Sequence, residues 1–477
     1  MKQPIAFKMK SWLILSSALL ALVPVQASAE AVDQTLLVRE LLGTYHVSGV
    51  TSDKLAGKTI EEMIASLQDP YTAFFSESEL QQFGNSIENS YVGMGARVGQ
   101  DAEGVYISEV FVGSPAEKAG LQKEDYIHSV GGVSAVDQPL DAVVGRIIGE
   151  PGTSVEVTVL RGTKPITVNI VRAAVNVPEV YSKYFEGEVG YIQVTDFSSD
   201  ADEDFAKQLK ELQAKGLNSL ILDLRNNPGG LLDTALHISK HFIREGTLIH
   251  TVDRNRTDDP SIISGGTTQP FPVQVLLNEY SASASEVLSG ALQDYDVAKV
   301  IGKQSYGKGS VQQVLELEGG GALKVTIQEY LTPDLHKVNK VGIKPDIEVE
   351  GSAAQMITAL HEAGISTINV EILKHTIRMN GVEVGDSLGI IREDSHVYAH
   401  ARTLAALVGA KISWNNESRV VEVSTADTKH AFPVEAGTLV INEGTSYIDL
   451  DSFTAVFPQL TASVDEHSVS IQATKGN

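Results

Sequence analysis

No cysteine occurs among the 477 residues, which removes disulfides, thiolate nucleophiles and thiolate metal sites in one step. Stability must come from packed cores. Basic residues are in short supply: 37 Lys and Arg stand against 61 Asp and Glu, a formal net charge of −24. A phosphate backbone needs a cationic surface that this chain could offer only locally, so a nucleic-acid partner is not expected. The 12 histidines are scattered, and Gly-x-Ser-x-Gly, Gly-Asn-Ser-Gly-Gly and His-Glu-x-x-His are all missing. Their lack argues against a histidine triad and against metal hydrolysis, and no metal or cofactor is expected. Strongly biased segments are lacking too: 42% hydrophobic and 21% charged residues describe ordinary folded domains.

The one long apolar run, residues 12–23, is shorter than the ~20 residues a bilayer requires and ends at Pro24. Lys2, Lys8 and Lys10 precede it and Ala27-Ser28-Ala29 follows, the pattern of an export signal over residues 1–29. The mature chain is expected to start at Glu30 and to be secreted or to face the cell envelope.

Residues 30–90 read as a helical region. Ile60, Met63, Ile64 and Leu67 recur at helical spacing, Asp69-Pro70 stops the helix, and Ser76 with Glu79 forms a capping-box pattern. From Tyr91 the pattern changes to short β runs at 91–98, 104–110, 125–130, 154–160 and 166–171, with helices at 114–120 and 138–148. They delimit a small module over 91–177. Residues 178–350 alternate strands (189–194, 219–224, 273–278, 299–302, 311–317, 322–331) with helices (202–214, 231–243, 283–293), which is an α/β core. A helical linker is read over 351–370 and a β-rich domain over 371–477. Each half of that domain holds strand, short helix and strand, with too little self-similarity to count as a repeat.

Three loops could carry chemistry. Tyr280-Ser281-Ala282-Ser283-Ala284-Ser285-Glu286 turns an apolar strand into a helix, where backbone N–H groups without intrahelical partners can stabilise an oxyanion. Taken alone, Ser283 is an ordinary helix cap. Asp223-Leu224-Arg225-Asn226-Asn227-Pro228-Gly229-Gly230 also follows an apolar strand, and its glycines let backbone N–H groups approach a carbonyl. Gln304-Ser305-Tyr306-Gly307-Lys308-Gly309-Ser310 presents one lysine between glycines, which by itself is a solvated charge.

These loops, with Asp69-Pro70-Tyr71-Thr72, Tyr91-Val92-Gly93-Met94-Gly95, Gly113-Ser114-Pro115-Ala116 and Gly307-Lys308-Gly309-Ser310-Val311-Gln312, occur in an order that closely resembles the carboxy-terminal processing (tail-specific) serine peptidases over residues 31–350. The resemblance implies an α/β, crotonase-like peptidase core with N-terminal helices, an inserted PDZ domain and a β-rich C-terminal domain behind it. It implies cleavage of proteins near their C-termini by a Ser/Lys dyad. Ser283 matches the nucleophile, Lys308 the base, and Gln312 the residue that helps hold the lysine. Oxyanion donors would be Ala284 and either Gly229 or Gly230. A lysine accepts a proton only when neutral, and an apolar setting lowers its pKa. Gly93-Met94-Gly95-Ala96 matches the loop that binds a substrate's terminal carboxylate. Partners implied are proteins or peptides with free C-termini, and a second copy of the chain in a homodimer.

One departure stands out. Relatives commonly carry an arginine, tied to substrate sensing, where this chain has Ile148, and Arg146 lies two positions earlier. Weaker dependence on a substrate carboxylate is therefore expected. Residues 371–425 resemble the stalk domain named after the N-terminal part of copper amine oxidases, through Met379-Asn380-Gly381, the 397–402 and 405–410 runs and Ile412-Ser413-Trp414. That likeness implies a spacer or a cell-wall contact, and not copper; His396 and His400 are read as incidental. The competing reading is a PDZ peptide-binding scaffold with a silent peptidase core, against which Ser283, Lys308 and Gln312 all stand intact.

Overall fold

The computed structural model describes residues 33–87, 90–386, 389–466 and 468–475. The expected signal segment, 1–29, lies outside them. At the centre is a six-stranded sheet ordered Val180–Phe185, Val189–Val194, Ser219–Asp223, Val273–Leu277, Ala298–Gly302 and Ile347–Glu348. The first pair is antiparallel and the rest are parallel. Strand alternation explains its two buried faces. Leu220, Leu222, Val275 and Val300 pack with helices Ala201–Ala214, Leu232–Ser239 and Ala284–Asp294, whereas Ile221, Leu276 and Ile301 point the other way.

On that second face lies helix Ser352–Glu362, buried over much of its length against the sheet and against the C-terminal domain in one continuous core. It is a core helix, not a spacer, in the stretch read above as a linker. Arg225 ties it down, donating to Ser352 O at 2.7 Å while its Nε donates to Asp223 at 2.8 Å.

A second, antiparallel sheet was only partly legible. The strands expected at 311–317 and 322–331 form the hairpin Ser310–Glu316/Ala322–Leu331, but Ala322–Leu331 also pairs with Ala73–Phe75 and with Gly246–Asp253. The N-terminal helices Gln34–Tyr45 and Ile60–Leu67 bury Val38, Leu42 and Met63 against Leu317, Leu323 and Val325 of this hairpin. They belong to the α/β core, and the 90–176 module is an insertion into it.

In that module the single run expected at 91–98 is two strands. Ser90–Gly93 pairs with Ala173–Asn176, and Ala96–Asp101 pairs with Gly104–Val110. The break falls at Gly95, whose φ is +79° and whose Cβ, if present, would lie 2.3 Å from Ser114 Cβ. The β-rich C-terminal domain does hold a structural repeat. Strand His396–His400, helix Ala401–Leu407 and hairpin Lys411–Asn415/Val420–Ser424 are echoed by Thr445–Asp449, Leu450–Val456 and Leu460–Val464/Val469–Thr474. The two leading strands pair antiparallel.

Candidate active site

Strand Val273–Leu277 ends in a tight turn, and helix Ala284–Asp294 begins immediately after Ser283. Geometry separates the three serines of this turn. Ser281 Oγ donates to Leu224 O at 2.8 Å and Ser285 Oγ to Asn227 O at 3.0 Å, both buried. Ser283 makes no such bond among the described residues. It is only half-buried, and it holds φ +54° and ψ −115°, a conformation that costs a non-glycine residue about 1–3 kcal/mol. Strain of this kind aims a hydroxyl at an open face.

The glycine-rich loop 226–230 packs directly on this serine. A Cβ at Gly229 would meet Ser283 Cβ at 2.7 Å and Ala284 N at 3.0 Å, so only glycine fits there. Asn227 shapes the loop: its Nδ2 donates to Val194 O and its Oδ1 accepts from Gly229 N, both at 2.8 Å. Gly229 N–H is thereby committed within the loop. Asp223-Leu224-Arg225, read with this loop as one motif, instead forms the buried clamp on helix Ser352–Glu362.

Across the turn, Lys308 sits in the loop before strand Ser310–Glu316. Burial, with Lys324 nearby, pushes its pKa below the usual lysine value, against the opposing charge of Glu286. No hydrogen bond joins Lys308 to Ser283 among the described residues. The ammonium lies over the Tyr71 ring, 5.2 Å from its centroid. Among the described residues Gln312 makes no hydrogen bond to it: its Nε2 donates to Ser310 Oγ at 2.9 Å and Thr326 Oγ1 at 3.3 Å.

What joins the two loops is Glu286, which is fully buried. One carboxylate oxygen accepts from Ser283 N at 2.8 Å and Lys308 N at 2.9 Å, the other from Ser305 Oγ and Gly307 N, both at 2.6 Å. Burial nonetheless raises its pKa above the usual carboxylate value, the four donors opposing. Tyr330 adds a second tie, its buried hydroxyl lying within donating range of Ser283 O at 3.2 Å and Lys308 O at 2.8 Å. The sequence reading gave neither residue a role. Ser283-x-x-Glu286 is a capping-box pattern and could have flagged the first; nothing local flags Tyr330.

In the inserted module, Met94 and Ala96 line an apolar groove of about 220 Å³ with Val98, Phe111, Val144 and Ile147. Ile148 stands at its edge, 45% exposed. Arg146 is turned away, its guanidinium donating to Ala142 O and Ser134 O. The cation that borders the groove is Arg97, paired with Glu109 at 3.1 Å and within 3.4 Å of Tyr181 Oη in the peptidase sheet.

A strained serine beside a glycine loop, a partly desolvated lysine across a shared carboxylate, and a small apolar groove in an inserted module point to a serine peptidase with a peptide-recognition domain. Residues 188–349 match the model of peptidase family S41 and residues 106–161 that of the PDZ domain. The chain is 33% identical over 352 residues to a probable CtpA-like serine protease of Staphylococcus epidermidis, covering 72% of this chain and 71% of that protein. A Staphylococcus aureus protein of the same description is 33% identical over 355 residues, covering 73% and 71%. Among solved structures, a photosystem II D1 C-terminal processing protease is 27% identical, covers 67% of this chain and 93% of its own, and superposes with a TM-score of 0.46. The chain belongs to peptidase family S41, as a CtpA-like serine endopeptidase with a PDZ domain.

Proposed function

We propose that this endopeptidase cuts exported proteins near their C-termini with Ser283 as nucleophile and Lys308 as general base. The observation that carries the assignment is the separation of the serines: the Ser281 and Ser285 hydroxyls are spent on the neighbouring loop, whereas that of Ser283, on strained backbone, donates no hydrogen bond among the described residues. Neutral Lys308 takes the Ser283 proton as Oγ bonds to the scissile carbonyl carbon. The oxyanion is received by the N–H of Ala284, a leading donor of its helix, and by that of Gly230, since Gly229 N–H is already committed to Asn227. Lys308 then returns the proton to the departing amine, and repeats the cycle with water to release the acyl group. Gln312, whose amide nitrogen is engaged, offers its carbonyl oxygen to the lysine as it turns from Tyr71 towards Ser283.

Gly93, Met94, Gly95 and Ala96 receive the substrate's terminal carboxylate, with an apolar last side chain in the groove behind them. The enzyme works outside the cytoplasm after loss of residues 1–29, and pairs as a homodimer. The core is crotonase-like and residues 371–477 act as a stalk that touches the cell wall, for which the family likeness and exposed Trp414 are the support. Hydrolysis of casein by the mature protein, lost in Ser283→Ala and in Lys308→Ala with the fold retained by circular dichroism, is the expected result. Binding of C-terminal peptides without hydrolysis in the wild type would instead favour the silent scaffold.

A further inference from the structure

The Asp69-Pro70-Tyr71-Thr72 segment lies more than two hundred residues from the lysine loop in sequence, yet it supplies the surface on which Lys308 rests. Asp69 builds the turn: its carboxylate accepts from Tyr71 N at 3.0 Å and Thr72 Oγ1 at 2.6 Å, and pairs with His46 at 3.2 Å. Thr72 Oγ1 in turn accepts from Thr326 N at 3.1 Å, fastening the turn to strand Ala322–Leu331. The turn that carries Tyr71 is thus fixed from two sides. A ring face attracts an ammonium through its quadrupole and has no comparable hold on a neutral amine.

We propose that Tyr71 is a positioning residue for the general base: its ring face cradles protonated Lys308 in the resting enzyme and releases the amine towards Ser283 once the proton has left. The proposal rests on Lys308 being the base. Other charged or titratable groups around the pair are Glu286 from the nucleophile's helix and Lys324 from strand Ala322–Leu331, which act on the lysine, Tyr330 of the same strand, which donates to the Lys308 carbonyl, and Tyr306 from the lysine loop and Asp69, which act on Tyr71. Of these, Lys324 disfavours the ammonium and Glu286 favours it; Tyr71 adds to the second side without adding a charge.

The sign follows directly. A cradle for the ammonium raises the lysine pKa, and activity requires the neutral amine, so losing the ring face moves the acid limb of the rate profile to lower pH. Leucine keeps the apolar cover while removing the quadrupole. Tyr71→Leu is expected to lower the limb by about 1 pH unit with the alkaline plateau retained, whereas Tyr71→Phe leaves it in place and Tyr71→Trp holds or raises it.

The full mature chain and these three variants are compared in casein hydrolysis against pH, and again, in a Ser283→Ala background, by NMR titration of carbon-13-labelled lysine, with Lys308→Arg identifying the resonance. The NMR arm reads the cradle without hydrolysis, so a chain that bound and titrated as expected yet cut nothing would fail as a peptidase while the cradle stood. Melting temperatures show whether each variant is folded; should Tyr71→Leu unfold, Tyr71→Phe and Tyr71→Trp still bracket the effect. An unmoved Lys308 midpoint in Tyr71→Leu, or an equal shift in Tyr71→Phe, would overturn the proposal, the second by assigning the effect to the hydroxyl.

Discussion

A single carboxylate with four donors has no isosteric substitute. In Glu286→Gln one oxygen becomes an NH2 group and faces either Ser283 N and Lys308 N or Ser305 Oγ and Gly307 N. Each donor left without an acceptor costs about 1–3 kcal/mol in a buried site. The nucleophile turn and the lysine loop should then separate, with kcat reduced by about a hundredfold or more, since misplacement of about 1 Å is enough for that. Rate measurements beside a urea melt check both halves, and normal turnover in Glu286→Gln would show that the loops hold their places without the carboxylate. The pH profile belongs at this scale too. Lys308 is pushed below its ordinary value of 10.5 by burial, so activity should rise with pH through a midpoint beneath that figure. A rate that is flat across the whole pH range in which the fold holds would count against lysine as the base. The loops that carry Ser283 and Lys308 stood out as short runs of small residues at strand ends, but read alone the two residues were a helix cap and a solvated charge, and their proposed roles came from the family resemblance. Tyr71 and Tyr330 acquire their roles only when remote strands pair, which no local pattern encodes.

Elements carry the site by close backbone approach, and Gly229 is where the approach is tightest. Its φ of +112° and the 2.7 Å separation of a hypothetical Cβ from Ser283 Cβ mean that Gly229→Ala must displace the nucleophile or its own loop. Near-complete loss of hydrolysis is expected with only a modest fall in melting temperature, read by rate assay and calorimetry. Arg225 offers the opposite case. It is buried, bonded to Asp223 and to helix Ser352–Glu362, and does not touch Ser283. Arg225→Met leaves Asp223 uncompensated and should destabilise the protein by about 3–5 kcal/mol, measured by denaturant unfolding. Four strands of the central sheet, from Val189–Val194 to Ala298–Gly302, were readable because they are largely apolar runs, whereas the two-residue edge strand Ile347–Glu348 was not read. Gly246–Asp253 was missed although it is β-rich in composition, because it joins an antiparallel sheet whose partner, Ala322–Leu331, lies about seventy residues downstream. Ser352–Glu362 was legible as a helix, but its burial depends on a domain that folds after it.

At the scale of the molecule, the PDZ domain is held at both ends. Arg97, at one end of strand Ala96–Asp101, reaches the peptidase sheet, and the 374–376 segment of the C-terminal domain docks at Asp101, the strand's other end, and at Tyr126. There His375 stacks on Tyr106, with centroids 4.1 Å apart, and its ring nitrogens meet Asp101 at 3.0 Å and Glu124. Lys374 donates to Tyr126 Oη at 2.7 Å and pairs with Glu103, also at 2.7 Å, while Lys123 pairs with Glu383 close by. Burial works against ionising Asp101, but bonds from His375, Tyr126, the Glu103 N–H and Lys374 outweigh it and hold its pKa below the usual carboxylate range. A carboxyl whose folded pKa is depressed contributes stability above its unfolded value, 3.8, and loses it as pH falls through the folded value. The domain contact should therefore persist through mild acid and loosen only well below pH 4. His375→Ala removes the stacked ring and the group that bridges Asp101 and Glu124, leaving Lys374 and Tyr126 as the partners of Asp101, so the contact should loosen at neutral pH. Hydrogen exchange is the measurement: strand Tyr126–Val130 and the 374–376 turn should exchange faster in His375→Ala than in the wild type, with the central strands Ser219–Asp223 and Val273–Leu277 unchanged. Uniform acceleration across all four segments would mean that the variant weakens the whole fold, and unchanged exchange everywhere would mean that Arg97 and the strand connections alone fix the PDZ domain in place.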